Sequence, residues 1–395
     1  MKQNEKFVQE SSDEEDPVPD FDTCDENELN RLFKRLEPFE IQVGQDLKEY
    51  ILHLTTTSST KTLLATGSST GIVQLYDVTT QKGLVTPKTI SKDDVLLSGL
   101  KFDPTNDNIL YVNRVSGECK SYDLRSNEVI HAYFDDSSGT KKPFSCMDVN
   151  QNGRILCCGT EKIRGDAFLL FFDTRQRQLL GGYWESHEDD ITNIKFHPKN
   201  PDSVASSSTD GLLNVYDIKQ STEDDALLVS FNTESSPSQA FWYKKDNLDH
   251  LACITDTNDL QLFNVETQDK VHEFKRSEIA TQLKRNSPID CCLLGCYVEK
   301  DDVFFVGTSN FNKGECLRSL KLSQKMTLEP SYNFVRANQI FRCAEYNEKA
   351  KILFTGGEDG RVQLWNLDDS LPSDGQNLKE KSKLSEKPHK KVKPY

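Results

Sequence analysis

The sequence predicts an all-β fold built from seven copies of one small antiparallel sheet. Three observations carry that expectation. A half-unit of the form strand, tight turn, strand recurs seven times along the 395 residues. Its closing Asp or Asn falls at Asp77, Asp123, Asp173, Asp217, Asn264 and Asn366, a mean step of about 48 residues, with one position near Ser319 degenerate. Within the copies, apolar and polar residues alternate, as in Leu213-x-Val215-x-Asp217, the period-two pattern of a strand.

Taken in order, residues 1–25 are an acidic segment. The first 30 residues hold eleven Asp/Glu against two Lys, too little apolar surface to offset chain entropy, so the segment is expected to be disordered. Residues 26–37 read as a short amphipathic helix. Leu29, Leu32, Phe33 and Leu36 share a face, Asp25 is placed to cap with Glu28 three residues on, and Pro38 follows. Such a helix either folds back on the body or docks a partner. Phe39–Val43 alternates with period two and is positioned to pair with the last copy, which would otherwise leave an open edge.

The half-units follow at 63–78, 109–124, 155–175, 203–218, 251–265, 303–322 and 352–367. The fourth is the most complete: Ile191-x-x-Ile194-x-Phe196, a Pro-Lys-Asn-Pro turn, a small-residue run, an Asp-Gly turn and a last strand ending at Asp217. Residues 369–395 form a basic tail with seven Lys against two Glu over 379–393, also expected to be disordered.

These units resemble WD repeats, most closely in STDGLLNVYD (208–217) and GEDGRVQLWN (357–366). The resemblance implies a seven-bladed WD-repeat β-propeller over residues 38–368. It also implies an internal polar network in blade 4, in which His187 bonds Asp210, a serine among Ser206–Ser208 (Ser206 the first choice) and Tyr216. Blade 7 keeps Asp359 and Trp365 but has Arg-Ala-Asn-Gln where the histidine belongs.

Chemistry other than packing finds little support. A formal charge of −15 opposes general nucleic-acid binding, leaving only the basic tail as a candidate. Eleven cysteines without framework spacing read as reduced thiols, and the doublets Cys157-Cys158 and Cys291-Cys292 point to opposite strand faces. No apolar run is long enough to span a bilayer. His187 and His197 lie at opposite ends of one strand, roughly 30 Å apart at about 3.3 Å per residue, so they cannot share a metal. His197 reads as a surface turn residue before Pro198. No nucleophile–base pair, phosphate loop or cofactor fingerprint is present, so neither an enzyme nor a cofactor is expected.

Outward-facing residues carry the functional signal. Tyr122–Arg125 and Phe172–Arg175 close consecutive blades with Asp-x-Arg. This resembles the box by which some WD-repeat proteins dock on the adaptor of cullin-4 ubiquitin ligases, with Arg125 and Arg175 as the docking arginines, although Tyr122 and Phe172 stand where Trp is usual. The competing reading pairs each arginine with its own blade's Asp. Glu188, Asp189, Glu358 and Lys162–Arg164 are candidate loop contacts for other proteins. Ser11 and Ser12, each with an acid three residues on, suit an acidophilic kinase, and the basic tail has the look of a nuclear or nucleolar address. The expectation is a monomeric interaction scaffold in a nuclear complex, with ribosome assembly or ligase-substrate reception as alternatives.

Overall fold

A computed structural model of the chain describes residues 19–368, apart from 39, 44–48, 60, 80–82, 85–86, 138, 300–301, 311–313, 315 and 338. The acidic stretch with Ser11 and Ser12, and the basic tail, lie outside the described residues.

Seven antiparallel sheets are present. Their innermost strands, called a, are Ile51–Thr56, Leu97–Asp103, Phe144–Val149, Ile191–Phe196, Pro237–Lys245, Cys291–Glu299 and Phe341–Asn347. Each strand a packs against that of the next sheet, and the seventh against the first, so the sheets close into a seven-bladed propeller around a channel. Blade 4 shows the unit: strand a, then b (Ser203–Ser208), c (Leu212–Asp217) and d (Leu227–Asn232), paired in that order. Strand b is buried throughout because neighbouring blades cover both its faces, and its small Ala205, Ser206 and Ser207 permit that approach.

One irregularity repeats in all seven blades. The pairing of strands a and b slips by one residue, after the first pair in six blades (between Ile191 and Asn193 in blade 4) and after the third, between Leu293 and Gly295, in blade 6. The resulting bulge re-aims a side chain sideways. Thr192 Oγ1 thereby donates to Pro237 O of the next blade at 2.5 Å, and Ser145 Oγ to Ile191 O at 2.5 Å. Next to the bulge, His53 Nε2 meets Leu97 O at 3.2 Å, and Cys343 Sγ meets Ile51 O at 3.4 Å across the ring's seam.

The seam is closed by the N-terminal chain. Glu40–Val43 pairs antiparallel with strand c of blade 7, Arg361–Asn366. Upstream, the structure departs from the sequence reading in two ways. The helix covers only Glu26–Leu32, capped by Asp25, and Phe33 is already extended. Extension buries the Phe33 ring among Ile279, Leu283 and Leu320, and lets Lys34–Leu36 add a parallel strand to the edge of blade 6 at Tyr332–Phe334. The acidic segment, assigned to disorder as far as residue 25, is held in place from Pro19 on. Asp20 bonds Arg285 at 2.7 Å and Ser309 at 2.5 Å, while Asp22 bonds Arg285 at 2.9 Å and Arg318 at 2.7 Å. Burial alone would raise the Asp22 carboxyl, but the two guanidiniums outweigh it and hold the carboxyl below its ordinary range. Two otherwise unneutralised, largely buried arginines explain why this acidic stretch is ordered. In blade 6, the degenerate closing position expected near Ser319 is Lys321, opposite Phe304.

Candidate functional site

In blade 4 the chain reaches His187 through a loop fixed by one carboxylate. Glu223, in the short helix Glu223–Ala226, accepts from the amides of Trp184 at 2.7 Å, Glu185 at 3.0 Å and Ser186 at 2.8 Å. The grip seats His187 beneath the b–c turn. Its Nδ1 lies 2.9 Å from Asp210 Oδ2 and its Nε2 lies 2.7 Å from Ser206 Oγ. Asp210 also accepts from the amides of Glu188 (3.0 Å) and Leu212 (2.8 Å). Burial pushes the Asp210 carboxyl up, but His187 and these amides outweigh it and bring it below its usual value. Tyr216 joins through Asn214, whose Nδ2 donates to the phenol oxygen at 3.1 Å and to Ser186 O at 2.9 Å. Burial raises the Tyr216 phenol to about 12, against the pull of its hydrogen bonds. The structure thus brings His187, Asp210, Ser206 and Tyr216 into one network. Asn214 and Glu223 belong to the same assembly, and sequence reasoning missed both.

Blade 7 is wired differently. Trp365 Nε1 donates to Thr355 Oγ1 at 3.0 Å, while Asp359 is half exposed near Arg361 and does not reach the indole. Gln339, buried where the histidine would sit, donates to Arg361 O at 3.2 Å. His197 is not the surface turn residue expected. It is buried, its Nδ1 accepts the amides of Lys199 and Asn200 at 3.1 and 2.8 Å, and its Nε2 faces Asp249 at 3.2 Å. Its ring also packs edge-on against Trp242, so blade 5 supplies the burial that a single strand-turn reading could not show.

The rim residues divide. Arg125 folds back on Asp123, with Nε and Nη2 at 3.1 and 2.7 Å. In blade 3 only the backbone N–H of Arg175 bonds Asp173, at 2.8 Å; its exposed side chain makes no ion pair among the described residues. Glu188 is exposed beside the buried network, Asp189 accepts from the amide of Asp190 at 2.9 Å, and Glu358 pairs with Arg342 at 2.8 Å. The Lys162 amide is tied to Asp190 at 2.7 Å. Cys157 and Cys158 pack into separate clusters on opposite faces of blade 3, and burial pushes both thiols well up. Among the described residues no three His, Cys, Asp or Glu side chains converge to hold a metal ion, and no helix is long and apolar enough to cross a membrane.

Comparison with known proteins places this geometry. The family described as WD domain, G-beta repeat matches residues 179–217 and 330–366. The chain is 29% identical over 326 residues to a WD repeat-containing protein of Saccharomyces cerevisiae, covering 76% of this chain and 75% of that one. It is 25% identical over 187 residues to the WD repeat-containing protein 89 homolog of Dictyostelium discoideum, covering 47% of each. A chain in the crystal structure of a mitotic checkpoint complex shares the fold, with a TM-score of 0.64 at 13% identity over 84% of this chain and 96% of that chain.

Proposed function

Because the protein is a seven-bladed WD-repeat propeller whose polar side chains are mostly spent on its own blades, we propose that it is a non-enzymatic, monomeric protein-interaction scaffold. The carrying observation is the pre-set rim: Glu223 and the His187–Asp210 bond fix the loop that displays Trp184, Glu185 and Glu188. A partner binding there has little platform left to order, which lowers the entropic cost of association. The basic tail supports a nuclear or nucleolar setting, with ribosome assembly one such complex. The test is affinity purification of the tagged chain from its own cells, comparing wild type with Glu188→Lys/Asp189→Lys and with a chain lacking 379–395. Loss of partners in the first and loss of nuclear staining in the second are expected. An unchanged partner set in the charge-reversed protein overturns the rim assignment.

The exposed side chain of Arg175, which makes no ion pair among the described residues, favours a second reading, docking on a cullin-4 ligase adaptor. It needs Arg125 to leave Asp123, where the exposed pair holds the carboxyl at about 2 through its hydrogen bonds to Arg125. Solvent screens an exposed pair of this kind, so exchange for an adaptor carboxylate costs little. Adaptor capture that survives Arg125→Ala/Arg175→Ala sinks this reading.

A further inference from the structure

The channel holds charges that rim binding does not use. The common register of strands a and b puts one residue from each blade on the same level of the channel. In blades 1 to 4 these are Thr55, Lys101, Asp148 and Lys195, in blade 5 Phe241 and in blade 7 Glu345. Blade 6 has Gly295 at this position, and the ring of Tyr297 occupies the space: a Cβ on Gly295 would lie 2.5 Å from the Tyr297 hydroxyl.

Of the four charges, two are closed. Lys101 Nζ is 3.0 Å from Asp148 Oδ1, and Asp148 Oδ2 accepts the Phe196 amide at 2.8 Å. The other two, Lys195 in blade 4 and Glu345 in blade 7, sit three blades apart and make no ion pair among the described residues. Burial and then the nearby Lys101 charge push the Lys195 ammonium down against the pull of Asp148 and Glu345, and burial pushes the Glu345 carboxyl up against Lys101, Lys195 and the Thr56 amide, so at both groups burial outweighs the opposite charges within reach. Between them lies a cavity of about 420 Å³, open toward the a–b turns and walled in part by Phe241, Trp242, Tyr297 and Tyr346.

We propose that this cavity binds a small zwitterion of the α-amino-acid type, its carboxylate toward Lys195 and its ammonium toward Glu345. A simple anion would satisfy Lys195 but leave Glu345 open and face Asp148. A simple cation would do the reverse and face Lys101. Opposite charges on one molecule close both, and the aromatic wall supplies apolar contact and cation–π attraction for the ammonium end. The volume falls within the usual range of small-molecule sites, about 300–1,000 Å³.

The test titrates the purified full chain with the common free L-amino acids, first by thermal shift and then by calorimetry. Each binder is compared with its amide, which keeps only the ammonium, and with its N-acetyl derivative, which keeps only the carboxylate. The zwitterion should bind at least about tenfold tighter than either, as expected of two charge-assisted bonds in a recessed site. Lys195→Met should erase the preference over the amide, and Glu345→Gln the preference over the N-acetyl form. Both variants remove a charge that burial disfavours and that makes no direct ion pair among the described residues, so each should fold with an undiminished melting temperature. No amino acid binding at millimolar concentration, or binding that both variants leave unchanged, overturns the proposal.

Discussion

Replacing His187 with Ala asks whether the His–Asp cluster of blade 4 is a packing device. His187 is 4% exposed and spans Asp210 and Ser206 at 2.9 and 2.7 Å, so truncation orphans a buried hydroxyl and strips Asp210 of its side-chain partner. An unsatisfied buried polar group costs about 1–3 kcal/mol. If roughly 40 Å³ of the ring's space stays empty, the void adds about 1 kcal/mol at ~24 cal/mol per Å³. The expected loss is therefore about 2–4 kcal/mol, read as a lower urea midpoint with an unchanged slope. Glu188→Ala is the control, because it removes an exposed carboxylate while the backbone bond to Asp210 stays; it should move stability by no more than about 0.5 kcal/mol. Asp210→Asn adds a pH signature. The folded carboxyl lies below its ordinary value, so its contribution is present above the unfolded pKa of about 3.9 and is lost as pH falls through the folded value. The gap between wild type and Asp210→Asn should hold from pH 7.5 down to about 4.5 and narrow only below about 4. A urea midpoint unmoved by His187→Ala, or moved equally by Glu188→Ala, refutes the reasoning.

Other consequences follow from the same contacts. Asp148→Asn should destabilise more than Lys101→Met, because Asp148 neutralises Lys101 and also holds the Phe196 amide of blade 4; equal melting temperatures would contradict this. The Asp148 charge raises the folded pKa of Lys101, so the pair's contribution is full below the unfolded value of about 10.4 and fades as pH rises through the folded one. Wild type should then lose ground to Lys101→Met only in alkali, and a gap that narrows at neutral pH would count against the pairing. Asp22→Asn should lower the melting temperature at pH 7 and converge with wild type below about pH 4, since a depressed carboxyl stabilises only while ionised. Convergence at higher pH would mean that the Arg285 and Arg318 bonds are not what holds the segment.

The propeller was legible because its signals are periodic. The closing residues from Asp123 to Asn366 mark the ends of strand c, Asp77 falls two residues before the end of its own, and alternation in 40–43 marks the strand that pairs with Arg361–Asn366. What the sequence hid lies between blades. The bulge that aims Thr192 at Pro237 O leaves no mark in composition, since Ser145, Thr192 and Arg342 occupy equivalent places. His197 looked exposed because a Pro-Lys-Asn-Pro turn follows it, yet Trp242 of the next blade covers it. Phe33 fits a helical stripe as well as it fits an extended residue; only the free edge at Tyr332–Phe334 decides. Glu223 and Asn214 carry no spacing rule relative to His187, and the channel charges become neighbours only when the ring closes.

The ring's seam rests on more than the four-residue strand Glu40–Val43. The N-terminal chain also pairs along blade 6, and it bonds the loop before blade 6, where the Thr23 amide donates to Lys284 O at 2.9 Å and that of Asn286 to Phe21 O at 3.2 Å. Phe33 is its anchor, 1% exposed and stacked 5.4 Å from the Arg318 guanidinium. Phe33→Ala should cost about 3–5 kcal/mol, the usual price of emptying a buried aromatic site. The location of that loss is the sharper expectation. The segment's strands pair with blades 6 and 7 and with no strand of blade 4, so the amides of Arg361–Asn366 should lose hydrogen-exchange protection before those of Leu212–Asp217. Equal loss in both strands would show that the ring opens only as one cooperative unit, and that the N-terminal clasp stabilises all blades alike rather than the seam.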